Sequence, residues 1–311
     1  MLIDDSVYVA GHSGLIGSAV LRKLQKEKYN NIHFKSHSEI DLTKRDCVED
    51  FFDEIKPKYV FLAAGKVGGI IENDEYPADF MISNLLIQTN IMMASQRLNV
   101  QKLIFFASSC MYPKNCKQPM DESMLLTGKP EPTSIAYAIS KLAGMQSCLS
   151  FNKQYSKVKF LPLIPNSVYG PNDNFDPNSS HVLSALIGKF YNAKIKKSSS
   201  VELWGTGEPR REFIHADDVA DASLFLIKQK NLNQLPVNIG VGEDYSIKQL
   251  AKIIASEIGY EGKIIWDSSK PDGAPRKLLN SSYLNDLGWK PKIELKKGIK
   301  NTFNWFQESI N

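Results

Sequence analysis

Only four cysteines occur in 311 residues, Cys47, Cys110, Cys116 and Cys148. None is spaced as a CxxC pair, so the pattern offers no zinc motif and no metal is expected. Unpaired thiols fit a reducing compartment, and a cytoplasmic location is the expectation. Long apolar runs are missing too. Stretches such as Tyr59 to Gly65 fall far short of the ~20 residues of a membrane span, so no membrane partner is expected. The opening MLIDDSVYVAG has no basic n-region and runs straight into a glycine turn, so a signal peptide is not expected. Excess charge of one sign is absent: 38 basic against 34 acidic residues leave +4. That balance carries no nucleic-acid signature. A few local Arg and Lys can still meet an anionic small molecule. There is no internal repeat and no low-complexity tract.

What is present is a chain with 42% hydrophobic residues, long enough for one large domain or two unequal ones. Short apolar runs alternate with helical patterns through the first half. Strands are expected at 6–10, 31–35, 59–64, 102–107 and 159–164. Helices are expected at 15–25, where Leu15, Ile16, Ala19, Val20 and Leu24 share a face, and at 45–55. Strands alternating with helices imply parallel pairing in a doubly wound α/β sheet. After Pro165 the chain becomes richer in Pro, Asn and Gly, and a smaller C-terminal α/β lobe begins there. Residues 1–164 are expected to form the cofactor domain, with a return at 212–240. Residues 165–211 and 241–311 form the substrate lobe. Ser246 is expected to cap a helix over 246–258, and 193–200 to be an exposed loop.

Two helical segments, 81–98 and 137–151, are apolar almost all round. Such a helix is buried on both sides. Deep burial within one chain and a homodimer helix bundle are both open on this pattern.

The first strand runs into Gly11-His12-Ser13-Gly14-Leu15-Ile16-Gly17, which opens a helix. Glycine there permits a tight turn and close approach of a pyrophosphate, and the helix N-terminus offers free N–H groups. This is a Rossmann dinucleotide site; a plain glycine-rich turn is the competing reading. The second strand ends in Lys35-Ser36-His37. An acidic tip would favour NAD, so a cationic or neutral tip favours NADP(H). Asp41, with Leu42, stands either at the adenine edge or as a helix cap.

Ser108 follows the fourth strand at its carboxyl end, where ligands bind in open α/β sheets. Tyr137 and Lys141 are four apart, so they share a helix face. An adjacent ammonium would lower the phenol's pKa and make it a workable proton donor to a carbonyl. A core tyrosine and a surface lysine would carry the same spacing, but Ser108 and the glycine turn favour the catalytic reading. Taken alone, Cys110 reads as a small core residue and His181 as a loop histidine.

The segments AGHSGLIGSAV, LAAGKVGGI, YPADF, SSCMYPK, EPTSIAYAISKLAG, YGPNDNF with SSHV after it, WGTGEPRREFIHADD and KPDGAPRKLL span nearly the whole chain. In them the chain resembles the GDP-L-fucose synthase family of extended short-chain dehydrogenases/reductases. The resemblance implies an NADPH-dependent enzyme that epimerises C3 and C5 of a GDP-4-keto sugar and then reduces C4. It implies Ser108, Tyr137 and Lys141 as the reductive triad, and Cys110 and His181 as the epimerisation pair. It also implies cofactor contacts from Ala63, Ala64, Pro165, Asn166, Ser167, Val168 and His181. Sugar-nucleotide contacts would come from Ser109, Lys189, Trp204, Arg211, Asp272, Arg276 and Lys277. The chain departs from the family at Ser13, where a basic residue is usual, and at Lys35, where arginine is frequent. It also reads Pro165-Asn166-Ser167 for Pro-Thr-Asn.

Overall fold

The computed structural model describes residues 1–155, 159–176, 179–230, 232–233, 235–270 and 272–310. The first half builds β1 (Val7–Ala10), α1 (Leu15–Lys26), β2 (Ile32–His33), α2 (Arg45–Ile55) and β3 (Tyr59–Leu62). It continues with α3 (Ile70–Glu75), α4 (Pro77–Arg97), β4 (Lys102–Phe106), α5 (Ile135–Gln154) and β5 (Lys159–Pro165). The second half adds β6 (Val168–Tyr169), α6 (Val182–Ile195), β7 (Ser200–Trp204), β8 (Arg210–Arg211), β9 (Ile214–His215) and α7 (Ala216–Lys228). It ends with β10 (Val237–Ile239), β11 (Tyr245–Ser246), α8 (Ile247–Ile258), β12 (Lys263–Asp267), β13 (Arg276–Lys277), α9 (Ser282–Asp286) and α10 (Leu295–Ile310).

Six strands form one parallel sheet in the order β10-β5-β4-β3-β1-β2. This is the doubly wound Rossmann sheet. The order reverses between β1 and β3, the point where such sheets bind ligands. Alternate residues explain the two layers. Tyr8, Val60, Leu62, Leu103 and Phe105 face a core shared with Val48 and Phe52 of α2, Ile91 and Met92 of α4, and Leu142 and Met145 of α5. Val7, Val9, Phe61, Ile104 and Phe106 face a second core with Val20 and Leu24 of α1 and Val219 and Leu226 of α7. Both faces are covered, so the strands are continuously apolar rather than alternating with polar residues.

A third core, with Leu186 and Phe190 of α6, Leu203 of β7, Leu250 and Ile254 of α8 and Phe303 of α10, holds the smaller lobe together. Its helix α8 begins in a capping box. Ser246 Oγ accepts from Gln249 N at 3.1 Å, and Gln249 Oε1 accepts from Ser246 N at 2.9 Å.

Two expectations change. The stretch 193–200 is not one loop: α6 runs to Ile195 with Ala193 buried in the lobe core, and β7 begins at Ser200. Helices α4 and α5 pack on each other and on the sheet, but they are not buried all round. Ile82, Leu86 and Met93 of α4 and Ile135 and Ile139 of α5 are 38–54% exposed. Their spacings of four and seven residues put each set on one helix face. An apolar composition therefore hides an outward stripe that one chain leaves uncovered.

Candidate active site

The cofactor end is shaped by the glycines. Gly11 has φ +81°, a left-handed conformation, and a Cβ there would lie 2.6 Å from the Ala64 nitrogen. A Cβ on Gly17 would lie 1.9 Å from the Gly11 carbonyl oxygen, so the turn closes only without side chains at both. Gly14 is different: its Cβ would meet nothing nearer than 3.6 Å. Its bare backbone faces open space at the start of α1. No side chain caps α1, and its first turn holds no acidic residue. Ser13 is exposed, while Leu15 and Ile16 are half-buried in the first turn. The arrangement fits a diphosphate bound by backbone N–H groups at a positive helix end. Ala63, whose N–H bonds the Ala10 carbonyl at 3.0 Å, and Ala64 pave the floor beneath Gly11.

The tip after β2 is not simply cationic. Lys35 Nζ lies 3.2 Å from Glu39 Oε1, and Glu39 Oε2 accepts from Ser36 N at 2.8 Å and Ser36 Oγ at 2.7 Å. These bonds hold the Glu39 carboxyl at about 2. Glu39 was not singled out from the sequence, although it follows Lys35 by four residues. Asp41 closes a local turn ahead of α2, where its Oδ1 accepts from Thr43 N at 3.0 Å and Thr43 Oγ1 at 2.6 Å; the N-cap of the helix itself is Lys44, with no side-chain cap. Leu42 packs against the sheet core, and its carbonyl accepts from Asn90.

The reacting end is brought together from β4 and its exit, α5 and β8. Ser108 ends β4's exit, and its Oγ accepts from Cys110 N at 3.2 Å. Tyr137 on α5 hydrogen-bonds Ser108, and Cys110 is near enough to act on the phenol's charge. Arg211 also lies within electrostatic reach of Cys110. Lys141 Nζ is buried, donates to the Phe106 carbonyl at 3.0 Å and lies 5.8 Å from the Tyr137 ring centroid. Burial pushes Lys141 down to about 8. The expected lowering of the phenol does not hold here. Burial raises Tyr137, Cys110 adds to the rise, and only the Ser108 hydrogen bond opposes it. Desolvation is the largest effect on the phenol and sets the direction. The phenol therefore stays protonated, the form a proton donor needs.

His181 is exposed at the N-cap of α6. Its charged neighbour is Asp173, whose carboxyl burial raises and which Ser184 Oγ hydrogen-bonds. Ser109 and Asn166, expected at substrate and cofactor, face inward instead. Ser109 Oγ donates to Asn166 Oδ1 at 2.8 Å, and Asn166 Nδ2 donates to Glu212 Oε2 at 2.9 Å. Glu212 is wholly buried and also accepts from Val241 N and Gly242 N at 2.7 Å and Leu279 N at 3.0 Å. Sequence reasoning missed it, because Glu212 follows Arg210-Arg211 and reads locally as part of a charged stretch before Phe213-Ile214. Pro165 is buried at the end of β5, and half-buried Ser167 and Val168 lead into β6.

The far end presents Trp204, 57% exposed. Lys189 Nζ and Lys270 Nζ lie 5.9 and 5.7 Å from its ring centroid. An open indole flanked by two cations suits an aromatic base carrying phosphates. The loop after Lys270 is clipped down, although Pro271 lies outside the described residues. Asp272 accepts from Thr206 N at 3.0 Å and Thr206 Oγ1 at 2.7 Å. Arg211 Nη1 donates to the Ala274 carbonyl at 2.6 Å, and Arg276 pairs with Asp244. Asp272 and Arg276 are thus committed to the loop in this state. Lys277 is half-buried in β13, and its carbonyl accepts from Glu212 N.

A glycine cradle at the sheet's switch point, with a serine, tyrosine and lysine at the carboxyl ends beside it, defines an extended short-chain reductase or epimerase. A model of the NAD dependent epimerase/dehydratase family matches residues 7–240. GDP-L-fucose synthase 1 of Arabidopsis thaliana is 48% identical over 98% of this chain and 94% of its own length. A GDP-6-OMe-4-keto-L-xylo-heptose reductase from C. jejuni superposes with a TM-score of 0.93 at 38% identity, covering 99% of both chains. A GDP-L-fucose synthetase from Naegleria fowleri bound to NADP gives 0.92 at 27% identity, covering 100% of this chain and 96% of that one. The chain belongs to the NAD dependent epimerase/dehydratase family and, within it, to the GDP-L-fucose synthases.

Proposed function

We propose that this chain is an NADPH-dependent 3,5-epimerase and 4-reductase that converts GDP-4-keto-6-deoxy-D-mannose to GDP-L-fucose. The observation that carries the reading is the grouping of Ser108, Cys110, Tyr137 and Lys141 beside the glycine cradle. Trp204, Lys189 and Arg211 would hold the GDP end. Tyr137 and Ser108 would hold the C4 oxygen and stabilise the charge that builds on it when a neighbouring proton leaves. Cys110 would take the proton from C3 and from C5, and His181 would deliver one to the opposite face. NADPH, when bound in the cradle, supplies the hydride for C4. Tyr137 would give its proton to the C4 oxygen, with the Lys141 ammonium beside it to restore the phenol.

A second reading has the chain act on a related GDP-4-keto sugar such as a 6-deoxy-heptose; the C. jejuni heptose reductase is its support. Turnover of GDP-4-keto-6-deoxy-D-mannose with NADPH in D2O separates the two. NADPH oxidation with deuterium at C3 and C5 of a GDP-L-fucose product supports the first. No oxidation of NADPH on this sugar supports the second, and oxidation without deuterium at those carbons leaves a reductase alone.

The uncovered stripe on α4 and α5 favours a homodimer through a helix bundle. The four free cysteines favour a cytoplasmic location. No helix among the described residues is long and apolar enough to cross a membrane.

A further inference from the structure

We propose that Gly69 is the positioning residue for the epimerisation histidine; this rests on the role given to His181 above. Gly69 lies in the Lys66-Val67-Gly68-Gly69 loop between β3 and α3. The loop is tied at both ends. At its start, a Cβ on Gly65 would stand 2.5 Å from Asn84 Oδ1 and 3.6 Å from Lys141 Nζ, so the backbone passes directly beside the reductive lysine. Asn84 then grips the next peptide: its Oδ1 accepts from Lys66 N at 3.1 Å, and its Nδ2 donates to the Lys66 carbonyl at 2.9 Å.

At the other end, Gly69 N donates to the Ser179 carbonyl at 2.8 Å. Asn73 Nδ2 donates to the Gly68 and Gly69 carbonyls, each at 2.9 Å, and fixes the turn from below. Ser179 and Ser180 lead directly into His181, the N-cap of α6. The loop is therefore a short backbone strut between Lys141 and the peptide that places His181.

Glycine is required here for space, not for conformation. Gly69 has φ −71° and ψ −178°, which any residue adopts. A Cβ would stand 3.0 Å from the Ser179 carbonyl oxygen and 3.2 Å from the Ser180 carbonyl oxygen. Both neighbours are backbone, so neither can rotate away. An added methyl must move the peptides before His181 by a few tenths of an ångström, while Lys141 and Tyr137 stay seated in the sheet core.

Misplacement of about 1 Å costs on the order of a hundredfold in a positioned reaction, so a fraction of that should cost roughly tenfold. The test is Gly69→Ala, with Asn73→Ala as a second variant that loosens the strut without adding bulk. Two readouts are needed: deuterium wash-in at C3 and C5 of the keto sugar, and oxidation of GDP-L-fucose by NADP+, which uses the reductive end alone. Wash-in should fall roughly tenfold in Gly69→Ala and by a smaller factor in Asn73→Ala. GDP-L-fucose oxidation should change less than about threefold in both. Equal losses in the two readouts, or unchanged wash-in in Gly69→Ala while the wild type exchanges, overturn this role alone. A wild type with no wash-in overturns both this role and the function on which it rests.

Discussion

The Glu212→Gln substitution tests whether the site rests on a buried acceptor. Glu212 is fully buried and four donors face it: Asn166 Nδ2, Leu279 N, Val241 N and Gly242 N. Burial pushes its carboxyl up, and those same bonds pull it back. A set composed only of donors fits the ionised form. Glutamine keeps one oxygen, which can serve Val241 and Gly242 as Glu212 Oε1 does. Its amide nitrogen then faces Asn166 Nδ2 and Leu279 N, which are both donors. Flipping the amide only transfers the mismatch to the other pair. Asn166 cannot flip freely either, because its Oδ1 accepts from Ser109 and its Nδ2 also reaches the Lys277 carbonyl. An unmet buried donor costs about 1–3 kcal/mol, so two cost roughly 2–6 kcal/mol. Removing a buried charge offsets part of this, and a net loss of about 3 kcal/mol is expected. That is a large share of the ~5–15 kcal/mol typical of folded domains. Urea unfolding followed by tryptophan fluorescence reads it as a lower midpoint, with Glu261→Gln on the exposed surface as a control. A Glu212→Gln midpoint within about 0.5 kcal/mol of wild type, the range of neutral surface changes, would refute the acceptor argument.

Lys141 gives a pH prediction with a definite sign. Its folded value is about 8 against 10.5 ordinarily, so between those values the unfolded chain binds more protons and stability climbs with pH. Below pH 8 the full penalty is present. Lys141→Met should therefore be more stable than wild type by about 3 kcal/mol at pH 7, while losing reduction. The gap should shrink as pH rises towards 10.5 in paired melting curves; a constant gap would contradict the buried-ammonium account. Leu86→Glu places a charge amid the exposed α4–α5 stripe. Light scattering after size exclusion should show a dimer for the wild type and a monomer for the variant; dimers in both would remove the stripe from the interface.

The residue pattern by itself determined much of this protein. A short apolar run placed β1, and helical spacing placed α1, α2 and α8, to within a residue or two, because local sterics and side-chain facing are written in neighbouring residues. Gly11, Gly14 and Gly17 were legible for the same reason: a turn followed by a helix is a local event. Ser108, Tyr137 and Lys141 were legible because two share a helix face and the third ends a strand.

Tertiary structure alone decided the rest. It turned Ser109 and Asn166 inward onto Glu212, a carboxylate whose donors come from β5's exit, β10's exit and the segment after β13. It brought Glu39 onto Lys35, and it exposed one stripe of two helices whose composition reads as buried. It reversed the sign expected for Tyr137, because desolvation depends on what the whole fold packs around a phenol and not on the lysine one turn away. Spacing along a chain fixes which faces residues share. Burial, and the donors that converge on a buried charge, belong to elements distant in sequence, and only the closed fold sets them.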